Sequence, residues 1–403
     1  MCACAALALA NSAWAPTYHR LLNATIAVDG GGHVLSLTVH QFINDGLMAV
    51  FFLLVGLEIK REVLAGELAS ARHAALPIAG AIGGIVVPTV IYLIANGGGV
   101  GSRGWAIPMA TDIAFALGAL ALVAPGAPGG LKVFLAALAI VDDVAAVLVI
   151  ALFYTSDVTW TALGWAGLIL LSLAALNLLR VRRLAPYLFL GLLLWYFVHQ
   201  SGLHATIAGV LLAFAIPTRT QINAGEFSAR ARSLLDSFDR TETGDGLVLT
   251  SKGQQDAIFG LERASEGVTA PLLRLEHALH HFSAFVVMPL FALSNAGVEL
   301  TGVRTGRVTL AVLVGLTLGK PLGITCAALA AVRLRFASLP DGVSWLALHG
   351  CAWLAGIGFT MSLFIATLAF DDAALLDSAK VGILSASIIS GVIGALVLRR
   401  ARP

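Results

Sequence analysis

Charge is what this sequence has least of. Only 12% of its 403 residues are Asp, Glu, Lys or Arg, against roughly a quarter in a soluble domain. So little charge cannot cover a water-facing surface, which excludes an ordinary soluble globule. The net charge of +2 gives no basic stripe of the kind that holds nucleic acid. Cysteine is scarce as well, limited to Cys2, Cys4, Cys326 and Cys351. None sits at metal-ligand spacing, and the last two lie in apolar runs, so they read as small hydrophobes rather than a disulfide framework. What fills the chain instead is hydrocarbon. Hydrophobic residues make up 58%, and the mean hydropathy is +0.90. That composition belongs to a protein embedded in a membrane.

A helix needs about 20 apolar residues to cross a hydrocarbon core about 30 Å thick. Eleven such windows lie near 43–59, 74–95, 105–124, 133–154, 159–179, 184–199, 202–217, 280–298, 309–332, 343–370 and 378–398. With Arg399, Arg400 and Arg402 placed on the cytoplasmic side, alternation puts 19 of the 25 Lys and Arg residues on that side. Five fall on the other side, and Lys320 lies inside a span. This bias is the positive-inside rule. The N-terminal stretch "MCACAALALANSAWAP" has about half the apolar length of a span. It reads either as a signal-peptide core lacking its basic start or as the end of a first span.

Two stretches differ from the rest. In 218–270, 14 of 53 residues are charged, which predicts a mobile cytoplasmic linker. It divides the chain into a transmembrane block at 1–217 and another at 271–403. Residues 24–38, "ATIAVDGGGHVLSLT", place two β-prone runs around Asp-Gly-Gly-Gly, a hairpin signal outside the membrane.

Against this background four ionisable residues inside spans stand out: Asp112, Asp142, Asp143 and Lys320. In "VFLAALAIVDDVAAVLVIALF" (133–153) 19 of 21 residues are apolar, and the other two are adjacent aspartates. Together the four oppose insertion by roughly 10 kcal/mol if costs add. Pairing one carboxylate with Lys320 accounts for two of them and leaves two acids without a cation in any span. Intramembrane charges of this kind mark ion or proton pathways. Neighbours on a helix point about 100° apart. One of Asp142 and Asp143 is therefore expected to face a cavity and the other a neighbouring helix.

Two spans carry breaks. In "WAIPMATDIAFALG", Pro108 removes a backbone donor shortly before Thr111 and Asp112. In "LAGIGFTMSLF", Gly356 and Gly358 precede Thr360. Broken helices at mid-membrane are tolerated only where they line protein or a water-filled cavity. One in each half points to a carrier built from inverted repeats.

Seven segments together resemble the NhaA-type sodium/proton antiporters. They are "INDGLMAVFFLLVGLEIKRE", "GWAIPMATDIAFALGALAL", "FLAALAIVDDVAAVLVIALFYT", "SGLHATIAGV", "MPLFALSNAGV", "LGKPLGI" and "GIGFTMSLFIA". Found in this order along almost the whole chain, they are specific. Such carriers are themselves an example of inverted-topology architecture, so the resemblance implies it. It implies an all-α polytopic protein of a bacterial inner membrane, with about twelve transmembrane helices, the first one truncated. Both termini would be cytoplasmic, and two discontinuous helices would cross at mid-membrane. It also implies electrogenic, pH-regulated exchange of cytoplasmic Na+ or Li+ for external H+, without a cofactor. Asp143 would be the principal cation and proton carboxylate, Asp112 its companion, and Thr111 an added oxygen ligand. Asp142 would pair with Lys320. Glu58, Arg61, Glu62, Glu276, His277 and His280 match a cytoplasmic region of pH response, where a histidine titrates in a useful range. His204 matches too. The 24–38 hairpin would join two copies into a homodimer.

Other classes fit less well. An intramembrane aspartyl protease needs Gly-x-Gly-Asp within a span, whereas "TGDG" (243–246) lies in the charged loop. A proton-coupled symporter of a small solute stays open on these residues alone. A channel suits rings of identical charges better than single acids at broken helices.

Overall fold

The computed structural model describes residues 1–29, 34–155, 158–241, 251–299 and 306–401. Two short helices open the chain, α1 (Cys2–Ala10) and α2 (Ala15–Leu22), followed by an antiparallel pair of strands, β1 (Thr25–Asp29) and β2 (Val34–Thr38). The tip of the expected 24–38 hairpin and most of the acidic "TETGDG" stretch lie outside the described residues.

Helices form the rest. Long apolar ones are α3 (Val39–Ala65) and α4 (Ala71–Asn96). A 3-10 segment (Val100–Met109) then leads into α5 (Ile113–Val123), which is followed by α6 (Gly129–Phe153), α7 (Trp160–Leu178), α8 (Leu184–Gln200) and α9 (Ile207–Ala215). Two helices, α10 (Ala224–Arg240) and α11 (Lys252–Val268), occupy the charged stretch. The last five are α12 (Pro271–Asn295), α13 (Arg307–Arg333), α14 (Trp345–Leu354), α15 (Phe359–Ala369) and α16 (Ala373–Arg400). Among the described residues seven helices are long and apolar enough to cross a membrane, and two bent pairs raise this to nine. The protein is an all-α polytopic membrane protein with a two-stranded ribbon.

Two expectations need correction. The window at 202–217 holds only the nine residues of α9 as helix, about 14 Å of rise. Gly202, at φ +83°, ends the preceding helix and lets the chain turn before Ile207. The 218–270 stretch is not a plain linker. The carboxamide of Asn223 caps α10 by accepting from Glu226 N–H (2.8 Å), and Ser251 caps α11 through Gln254 N–H (3.3 Å). These helices pack on each other through faces rich in Leu and Ala, with Gly260 against Leu234.

Proline shapes the spans that surround the centre. Single π-helical turns occupy 283–287 in α12 and 315–319 in α13, just before Pro289 and Pro321. A proline cannot donate to the carbonyl four residues back and clashes with it, so the helix widens by one residue there. A third π-turn, Phe42–Leu47, lies in α3. The closest helix pair is α4 with α13. A Cβ on either Gly83 or Gly323 would run into the carbonyl of the other. Gly319 likewise lies close to the backbone of Pro88, which a Cβ would meet at 2.8 Å. Without hydrophobic force between helices in lipid, such small-residue contacts hold a bundle together.

Candidate functional site

The two bent helix pairs meet at their breaks. The 3-10 segment and α5 are bent by 46° around 110–112, and α14 and α15 by 46° around 355–358. Backbone groups freed by the breaks pair across. Asp112 N–H donates to Ile357 O (2.8 Å), Thr111 Oγ1 to Ala355 O (2.9 Å) and Ser362 Oγ to Ile107 O (2.8 Å). Glycine is required on the second strand of this crossing. A Cβ on Gly356 would meet Leu316 O and Ser390 Oγ at 2.7 Å, and one on Gly358 would strike Ser362 Oγ. Pro108 packs beneath the crossing against Gly315 of the α13 π-turn.

Asp112 caps α5. Its Oδ1 accepts from Phe115 N–H (3.2 Å), and its Oδ2 accepts from the N–H (3.1 Å) and hydroxyl of Thr360. The carboxylate of one break is thus held by the helix start beyond the other, where the N-terminal dipole of α15 favours negative charge. Thr360 was expected only as a marker of the break, yet it is the main partner of Asp112. A hydroxyl just inside a helix start is too common a pattern to signal this from sequence.

The paired aspartates of α6 divide their tasks. Asp142 Oδ2 lies 2.6 Å from Lys320 Nζ, an ion pair in which both side chains are fully buried. It also accepts from Thr111 Oγ1 (2.7 Å), while Lys320 makes a second bond to Met109 O at the first break. Thr111 therefore directs its hydroxyl proton toward Asp142 and Ala355, which leaves the lone pairs of that oxygen for the ligand role expected of it. Asp143 is 2% exposed, and its Oδ1 is buried with no partner among the described residues. The charges of Asp142, Glu58, Asp112 and Lys320 all act on it. Three acids, Asp112, Asp142 and Asp143, and one cation, Lys320, occupy this core, so the two excess carboxylates need a proton or a cation to be neutral.

One end of the bundle opens into a polar cavity of about 490 Å³ lined by Glu58, Arg61, Leu273, Glu276, His277 and His280. Arg61 spans its wall, bonding Glu276 Oε1 at 2.6 Å and Glu62 Oε1 at 3.3 Å. Glu62 does not line the cavity but holds Arg61 and accepts from Glu67 N–H (3.1 Å). The six expected residues of this region are thus brought together from α3 and α12. His204 stands apart, its ring 6.2 Å from that of Phe364.

Two more ionisable residues sit inside helices where the sequence reading placed loops or ignored them. Lys380, counted with the loops, is a 9% exposed residue of α16, near Asp377 Oδ1 (3.7 Å) and Gly297 O (3.4 Å). Asp45 lies in the α3 π-turn, its carbonyl accepting from Trp195 Nε1 (2.9 Å). Lys380 stands at the very start of the apolar window 378–398, where a lysine reads as part of the adjoining loop, whereas the helix already begins at Ala373.

Buried acids at crossed, interrupted helices, with a charged cavity at one end of the bundle, define a secondary transporter rather than an enzyme. The sequence matches the Na+/H+ antiporter 1 family over residues 1–398. Relatives called Na+/H+ antiporter NhaA include those of Oleidesulfovibrio alaskensis (50% identical), Koribacter versatilis (48%) and Wolinella succinogenes (45%). Each alignment covers 98% of this chain and 87–88% of the relative. This chain belongs to the Na+/H+ antiporter 1 family.

Proposed function

We propose that Asp143 is the residue on which this sodium/proton antiporter exchanges its ions. The observation that carries the assignment is the contrast within one dipeptide. Asp142 is already neutralised by Lys320, whereas Asp143 has no cation paired with it among the described residues, although each keeps one buried oxygen without a hydrogen bond. A hard monovalent cation wants oxygen ligands, and carboxylates supply them. Na+ and H+ each neutralise the same buried carboxylate, so occupancy by one displaces the other. Cytoplasmic Na+ enters through the Glu58 cavity and displaces the proton, the site changes sides, and an external proton displaces Na+. Asp112, tethered to Thr360, supplies the companion carboxylate when the crossing rearranges. Li+, of the same charge and hardness, is an alternative cargo. If Lys320 releases its proton as Asp142 turns to the cation, more than one proton moves per Na+ and the exchange is electrogenic.

The Arg61–Glu276 pair with His277 and His280 is the proposed pH-responsive region, since acids, a guanidinium and imidazoles gather around one cavity there. The finer architecture belongs to the same reading. The shorter apolar helix α8, with the nine-residue helices α1 and α9 as partial spans, would extend the nine formed by long and bent helices to twelve. The two like-angled breaks support inverted repeats. The excess of Lys and Arg on one side supports an inner-membrane protein with cytoplasmic termini. Under this division 1–217 and 271–403 are the transmembrane blocks, 218–270 joins them, and the β1–β2 ribbon is the homodimer contact.

The test is Asp143→Asn in proteoliposomes. Na+-driven proton flux is expected to vanish while the variant still folds, and flux at the normal rate would sink the assignment.

A further inference from the structure

Helices α3 and α12 run antiparallel and are clasped twice. At the basic end the clasp is ionic, Arg61 to Glu276 at 2.6 Å. At the far end it is made of amides. Asn295 Nδ2 donates to Asn44 Oδ1 (2.8 Å), and Asn44 Nδ2 donates back to Asn295 Oδ1 (3.3 Å). Both residues are buried, and His40 Nε2 donates to the same Asn295 oxygen over 3.1 Å. Asn44 owes its position to the α3 π-turn, a feature that recurs at functional sites. The other Asn295 bond goes to Phe291 O (3.0 Å).

A chain of contacts joins this amide pair to the exchange centre. One turn along α6 from Asp143, Val147 lines a small hollow with Phe52 and Ile150. The Phe52 ring lies 5.4 Å from that of Phe364, which lies 6.1 Å from that of Phe291. Phe291 and Phe52 are one and two helical turns from Asn295 and Asn44. Outward from Asp143, the path thus meets three aromatic rings and then the amides. A reciprocal amide pair carries no charge, so an ion cannot trap itself there. Yet parting would leave Asn44 Oδ1 and one N–H of Asn295 without a hydrogen bond in this dry setting, which favours an all-or-none closure.

We propose that the Asn44–Asn295 pair is the latch that closes the end of the ion path opposite the Glu58 cavity, and that it parts in each transport cycle. It rests on the reading of that cavity as the mouth at the basic end. Two experiments on the full chain in vesicles decide it. In a background with the four native cysteines replaced by serine, Asn44→Cys and Asn295→Cys are combined and bridged by a short bis-methanethiosulfonate reagent. Bridged carriers should stop exchanging and recover on reduction. Exchange that continues when bridged, or a bridge that never forms, overturns the latch. Separately, Asn295→Ala and Asn44→Ala are assayed from both sides. Loss of the latch shifts the population toward the far-side-open state, so the Na+ KM should rise about fivefold from the basic side and fall from the other. A variant that shifts both values alike, or neither, overturns it. Failure of the exchange-site reading looks different, since Asp143→Asn would then retain flux whatever the latch does.

Discussion

Lys320 and Asp142 form a buried pair whose removal one partner at a time is far worse than removal of both. Lys320→Ala leaves an uncompensated carboxylate in a site that water does not reach, at a cost of about 3–5 kcal/mol. Asp142→Asn leaves the ammonium likewise. The double variant Lys320→Ala/Asp142→Asn should regain most of the lost stability, read as the thermal unfolding midpoint in detergent. A double variant no better than the worse single one would show that the pair is not coupled. Separating stability from flux in the same samples tells whether Lys320 also moves a proton. At this scale the sequence displayed the acids, because a carboxylate in an apolar run is visible without any structure. It offered Lys320 as a counter-charge for one of them, but it did not display Thr360 as the partner of Asp112. Lys320 lies 178 residues from Asp142, and Thr360 lies 248 from Asp112. The crossing of the two broken helices brings Thr360 to Asp112, and the meeting of α13 with α6 brings Lys320 to Asp142.

Among the helices, the contact of α4 with α13 is set by absent side chains. Gly323→Ala would press a methyl against the Gly83 backbone and Val87, and should cost about 1–3 kcal/mol by overpacking. Gly118→Ala in α5 meets nothing within 4 Å and should be neutral or slightly stabilising. Comparing unfolding midpoints of the two variants checks this, and equal behaviour would contradict the packing argument. The breaks themselves were legible, since Pro108 and the Gly356–Gly358 pair advertise them. The π-turns before Pro289 and Pro321 were not, because a proline can equally well kink, break or widen a helix. Nor was the shortness of α9, whose apolar window continues through the turn that precedes it.

On the scale of the whole molecule, the α10–α11 hairpin is an appendage. It is tied to the bundle where Gln221 N–H meets Gly267 O (2.8 Å), Leu272 N–H meets Pro217 O (3.2 Å) and Arg274 meets Glu266 (2.8 Å). Replacing 224–266 with a short Gly-Ser linker should leave Na+/H+ exchange and its Na+ KM unchanged in proteoliposomes. Loss of exchange in a variant that still folds would make the hairpin part of the transport machinery. Composition alone had marked this stretch as foreign to the membrane, but its two helices stayed hidden because their apolar faces are narrow and interrupted by charge.

The Gly83–Gly323 contact has a consequence for the lipid around the protein. Helices α4 and α13, with 26 and 27 residues, rise about 40 Å, well beyond a hydrocarbon core of about 30 Å. They must lean to fit, and their interlocked backbones make them lean as one plank. Lys320 is fixed to that plank, while its carboxylate stands on α6. A change in bilayer thickness would therefore press on the two helices together, and through Lys320 on the charge pair at the centre of the carrier.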